Sequence, residues 1–175
     1  MRRFVVWVCL LALAACGEAA PPEPPSTQEA SLTGSFKPAS NTARALTGAV
    51  TVERAGLRFE NGVALYTRTL TLHLSGDLIA KNGDSYAAAI VGPGDLEVEL
   101  RRVVDWNVPD GVVGPCGAAR PQYVALAFDE RARRMTLLVF SGSEPPGPQA
   151  LDSRVCARFG YAAHEGARTS EGVVL

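Results

Sequence analysis

From residue 44 to residue 164 the chain alternates. Val50 and Val52 flank Thr51 and precede Glu53; Leu70, Leu72 and Leu74 interleave with Thr71 and His73; Leu96, Val98 and Leu100 interleave with Glu97, Glu99 and Arg101. A two-residue period sends neighbouring side chains to opposite faces, so each run reads as a strand with one dry and one wet face. On this reading His73 lies on the solvated face opposite Leu72 and Leu74, while Glu97, Glu99 and Arg101 form a charged outer face. Turn residues separate the runs. Ala55-Gly56 leads into Leu57–Phe59, Asn61-Gly62 is a hairpin signal because both residues tolerate positive φ, and Asn82-Gly83-Asp84 marks a turn before a further run, Tyr86 to Val91.

Tyr123–Phe128 and Met135–Phe140 are apolar on both faces and are joined by the charged turn Asp129–Arg134. Such a pair belongs in the middle of a sheet or beneath a second layer. Val155–Tyr161 is the last strand candidate, and no segment of this region sustains a helical period. The expectation is an all-β fold, a single antiparallel β-barrel or β-sandwich of about eight short strands. With 47% hydrophobic residues the chain has the material for a core.

The N-terminus follows a different pattern. Arg2 and Arg3 precede a twelve-residue apolar run, Phe4 to Ala15, and the chain turns polar at Gly17 and Glu18. That order is the secretory signal pattern, and the run falls short of the ~20 residues a membrane-spanning helix needs. Leu13-Ala14-Ala15-Cys16 resembles the lipobox of bacterial lipoproteins. The resemblance implies cleavage before Cys16, a thioether-linked diacylglycerol on its sulfur and a further acyl chain on its amino group. Gly17, rather than Asp, after the cysteine implies outer-membrane sorting. Each buried CH₂ contributes ~0.8 kcal/mol, so more than one chain makes a durable anchor. The expected divisions are a signal peptide (1–15), a lipidated cysteine with a proline-rich tether (16–43), an antiparallel β domain (44–164) and a C-terminal tail (165–175). Pro21–Pro25 (PPEPP) favours extended polyproline geometry in the tether.

An exported chain meets an oxidising compartment. Cys9 leaves with the signal and Cys16 takes the lipid, which leaves Cys116 and Cys156 as a disulfide. That bridge ties the stretch Asp105–Pro121 to the base of the loop Ser141–Ser153. Long irregular loops on a rigid scaffold often carry recognition, and Trp106, Asn107, Asp110, Glu144 and Gln149 are the candidate contact residues. The opposing reading makes both stretches plain connections, with Trp106 buried as a plug.

Catalytic signatures are sparse. Gly83-Asp84-Ser85 is similar to the nucleophile block of the GDSL hydrolases, yet Tyr161 stands where that family's aspartate would precede His164, and no Gly-x-Asn-Asp block is present. The residues around Ser85 fit hairpin turn chemistry better. Asp105–Gly111 has the look of a calcium loop, but Pro109 occupies a ligand position and no glutamate closes it. His73 and His164 have no second ligand at metal spacing. Glu97 and Glu99 share a face and could pair for acid/base work, against the simpler reading of a solvated charged face. No catalytic residue, metal or cofactor is expected.

Seventeen basic residues oppose eighteen acidic ones, and loss of Arg2 and Arg3 with the signal leaves fifteen against eighteen, near −3. This is no nucleic-acid footprint. Fifteen of the seventeen basic residues are arginine, a bias that empties single arginines of signal. The expectation is a non-enzymatic binding or structural β domain in the cell envelope, lipid-anchored at the periplasmic face of the outer membrane, with an envelope protein as partner. The plan of lipobox, tether, small barrel and one disulfide is similar to that of the membrane-bound c-type lysozyme inhibitors. Inhibition of an envelope enzyme such as a lysozyme is therefore an alternative, although that family's Ser-Gly-x-x-Tyr signature is missing. A serine hydrolase using Ser85 is the second alternative.

Overall fold

The computed structural model describes residues 32–90, 96–129, 131–164, 168–169 and 172–173. Eight strands close into an antiparallel barrel in which each strand pairs with its neighbours in sequence. They are β1 (Gly34–Pro38), β2 (Val50–Glu53), β3 (Gly56–Phe59), β4 (Ala64–Leu74), β5 (Glu97–Asn107), β6 (Tyr123–Phe128), β7 (Arg134–Ser141) and β8 (Arg154–Ala163). Closure comes from β1, where Phe36 stands opposite Val50 of β2 and Ala163 of β8. A closed sheet leaves no edge to be covered. Beyond the barrel, β9 (Arg168–Thr169) pairs with β10 (Gly172–Val173).

The alternation becomes a filled interior. Phe36, Val50, Val52, Leu57, Phe59 and Leu65 point inward, as do Val124, Leu126 and Phe128 of β6, Met135, Leu137 and Val139 of β7, and Phe159 and Tyr161 of β8. Each such side chain contributes ~1.5–3 kcal/mol by leaving water. The outer face of β5, β6 and β7 is also dry. Val98, Leu100, Tyr123, Ala125, Ala127, Leu138 and Phe140 pack beneath Ile79, Tyr86 and Ile90. Those three residues belong to the long β4–β5 connection, so the hairpin that is apolar on both faces lies under a second layer. The loop 142–153 joins the same layer, with Gly147 N donating to Ile79 O and Lys81 N to Ala150 O, both at 2.8 Å.

Several local expectations are corrected. The run Tyr86 to Val91 is not a strand: Tyr86–Ala89 form a helical turn, α2, whose N-cap Ser85 accepts from Ala88 N at 3.3 Å. Alanines at 87–89 favour the turn, and β4 and β5 already pair with each other around it. The folded domain also begins before residue 44. The described chain starts at Leu32, which is buried in the core; β1 falls inside the stretch assigned to the tether, and α1 (Asn41–Leu46) straddles its end. β1 carries a single inward apolar residue, Phe36, too weak a pattern to stand out. The expected signal peptide, Cys16 and the stretch of the expected tether up to residue 31 lie outside the described residues.

The strand β4 holds the third correction. Its ladder with β5 shifts register between Thr69 and Thr71. An inserted residue exchanges the faces of everything beyond it. Leu72 and Leu74 are consequently the exposed residues, while His73 is mostly buried and packs on the Tyr86 ring at 5.5 Å.

Candidate functional site

Among the described residues the barrel interior carries one charged cluster, and the alternation misplaced it. Glu99 and Arg101 are fully buried rather than displayed on a wet outer face, whereas Glu97 is exposed. The second layer claims the Val98–Leu100 face, which leaves the interior for the charged one. Arg101 Nε donates to Glu99 Oε1 at 2.8 Å, and Thr69 Oγ1 donates to the same oxygen at 2.9 Å. The remaining groups hold backbone: Leu32 N donates to Glu99 Oε2 at 3.0 Å, Arg101 donates to Leu32 O at 2.9 Å and to Glu53 O at 2.7 Å. A buried ion pair requires this degree of satisfaction to offset its desolvation. Its backbone partners are Leu32 of the entering chain and Glu53 at the end of β2, so the cluster fixes how the N-terminal segment enters the barrel. It offers no acid/base pair, because Glu97 stands apart from it.

The predicted disulfide forms: Cys116 and Cys156 are bonded, with Cα atoms 5.3 Å apart. It anchors the β5–β6 connection to the start of β8. Trp106 is half-buried and, with Val108, Val112 and Cys116, packs against the interior core. Asn107 and Asp110 are exposed beside it. Glu144 is committed to its own loop, its carboxylate accepting from Leu151 N at 2.6 Å and from Asp152 N at 3.3 Å. Gln149 is exposed on that loop. The loop leans on Ile79 and Lys81 of the outer layer, while the Trp106 segment covers the barrel core. The five candidates thus divide between two structural units, and the disulfide ties the Trp106 segment to β8 rather than to the loop that carries Glu144 and Gln149.

Ser85 serves as a helix cap, and His164 is an exposed residue just past β8. His73 Nδ1 pairs with Asp77 Oδ2 at 3.1 Å, but its Nε2 is buried without a partner, as is the Tyr86 hydroxyl beside the same ring. Burial first, and the Asp77 charge second, hold the Tyr86 phenol well above its ordinary range. Among the described residues no three His, Cys, Asp or Glu side chains gather as a metal site.

Among the described residues, concavities of small-ligand size lie on the outside. One, of about 480 Å³, runs between the second layer and β8 and includes Ile79, Ala88, Ala89, Val155 and Arg158. Another, of about 360 Å³, is lined by Arg68, Arg102 and Arg120 with Val103, Val104 and Gln122. Arg68 and Arg102 are directly opposed across the β4–β5 ladder. The ladder shifts register beside them, between Tyr66 and Thr67, so Val104 is an extra residue in β5 at the edge of the hollow. Among the described residues none of the three arginines has an ion pair. Sequence reasoning missed this cleft because arginine is so abundant here; the available signal was that Arg68 and Arg102 fall on facing strands of one hairpin. No family model, curated protein or solved structure matches the chain, so the site rests on its own geometry.

Proposed function

We propose that this chain is an envelope lipoprotein, held at the periplasmic face of the outer membrane by acyl chains on Cys16, whose barrel binds a ligand through its outer surface and performs no catalysis. The anchor reading rests on Leu13-Ala14-Ala15-Cys16 behind an apolar run of export length. The binding reading rests on one observation: the closed barrel is filled by its own side chains, and concavities large enough for a small ligand lie on its outside. A barrel of this kind recognises with its walls and loops rather than by enclosing cargo.

Growth on an alkyne-bearing fatty acid tests the anchor. The wild-type chain should take up the label and sediment with membranes, and Cys16→Ala should lose both; an unlabelled wild-type chain refutes the assignment. A fluorophosphonate probe tests the absence of catalysis, since labelling that vanishes in Ser85→Ala would establish a serine hydrolase. Recovery of envelope components on the immobilised wild-type chain, with none retained after the disulfide is reduced and the barrel unfolded, is the result expected of a binding domain.

A further inference from the structure

The arginine cleft is a charge arrangement that folding alone disfavours. Like charges facing each other across a ladder are destabilising, and Arg68 and Arg102 face each other with no carboxylate among the residues lining the hollow. Asp105, opposite Tyr66 in the same ladder, uses one oxygen to accept from Trp106 N at 2.8 Å and makes no ion pair with them. Arg120 and Gln122, from the segment leading into β6, border the same space. Neighbouring Cβ atoms at such a cross-strand pair stand about 4.5–5.5 Å apart, so the Arg68 and Arg102 side chains leave the sheet side by side, and Arg120 lines the same hollow.

We propose that this cleft binds a phosphate monoester. A carboxylate offers two oxygens and one charge, which a single arginine fork satisfies. Three guanidinium groups call for more oxygens and more charge. A phosphate monoester supplies three terminal oxygens and a charge of about −1.5 to −2 near neutral pH. Val104, exposed beside the buried Val103, gives an apolar wall for the esterified group, and the Gln122 amide a donor and an acceptor for its hydroxyls. The inference rests on the reading of the barrel as a binding domain and does not depend on the lipid anchor.

Calorimetric titration of the full chain, purified in non-ionic detergent, tests it. Glycerol 3-phosphate in solution and neutral micelles doped with phosphatidic acid present the same phosphate from a free and a lipid source; saturation by either supports the proposal, and the tighter of the two identifies the source. Arg68→Gln and Arg102→Gln should each weaken binding by about tenfold or more, while Arg58→Gln, remote from the cleft and paired with Glu53, should leave it unchanged. Relief of the facing charges means that Arg102→Gln keeps or raises Tm, so lost binding in that variant is not lost folding. Citrate binding as tightly as glycerol 3-phosphate, unchanged affinity in both variants, or no saturation of the folded wild-type chain would each overturn the phosphate site. In the last case, continued retention of envelope components by the immobilised chain would show that the binding-domain reading survives without it.

Discussion

Two buried polar residues show what single side chains decide in this barrel. Glu99 balances Arg101 where both side chains are fully buried, so Glu99→Gln should strand the guanidinium and cost about 3–5 kcal/mol. The double variant Glu99→Leu/Arg101→Met removes both charges and should recover part of that loss. Recovery stays partial because Leu32 N and O, Glu53 O and Thr69 Oγ1 lose their partners. Urea unfolding of the three proteins measures both effects, and a double variant as unstable as the single one would deny the charge argument. Tyr161 behaves differently. Burial pushes its phenol up to about 12, against the lowering effect of its hydrogen bond with Thr47. The folded state therefore holds this proton more tightly than the unfolded chain. The resulting stability is complete below pH 10 and drains away as pH rises toward 12, at about 1.4 kcal/mol per pH unit. Tyr161→Phe should remove that slope, leaving the one that Tyr86 contributes, which urea midpoints between pH 9 and 11.5 would reveal. Neither residue's role was legible beforehand. A charged residue at every second position looks the same on a wet face and in a barrel interior, and only the layer over Val98 and Leu100 tells the two apart.

At the level of elements, the strands announced themselves more clearly than their faces. The hairpin β6–β7 needed cover on both sides, and the β4–β5 connection provides it. The sequence could not say which segment would serve, because Tyr86 to Val91 has the same apolar character in a strand or in a capped turn. The shift after Thr69 was equally silent, since a bulge changes the face of a residue without changing the pattern along the chain. The turn into β3 falls on Arg54-Ala55, one residue earlier than expected, and Gly56 is the first residue of the strand, needed there for another reason. It has no positive φ, and a Cβ placed on it would lie 2.3 Å from the Leu65 carbonyl oxygen on β4. A strand glycine of this kind marks close backbone approach. Gly56→Ala should push β3 away from β4 and cost about 1–3 kcal/mol. Gly76→Ala, where nothing stands within 4 Å, should be near neutral. Equal unfolding midpoints for the two variants would refute the close-approach explanation.

For the whole molecule the question is where the barrel ends and the tether begins, and composition answers it wrongly. Low apolar content through Ala43 suggested a linker, yet β1 is the strand that joins β2 to β8 and closes the sheet. Closure was beyond the reach of the pattern for that reason: barrel and sandwich differ here by one short strand whose inward face is Phe36 alone. The Glu99–Arg101 cluster extends the boundary further, to Leu32, by gripping its backbone at both N and O. A chain starting at residue 31 should therefore unfold at the same urea concentration as the full protein. A chain starting at residue 39 lacks β1 and the Leu32 clamp together. It leaves β2 and β8 as unpaired edges and strips the backbone partners from a buried ion pair, so it should lose cooperative unfolding or aggregate. Should the shorter chain instead remain monomeric and melt like the full one, β1 would be an accessory strand, and the tether would begin where composition had placed it.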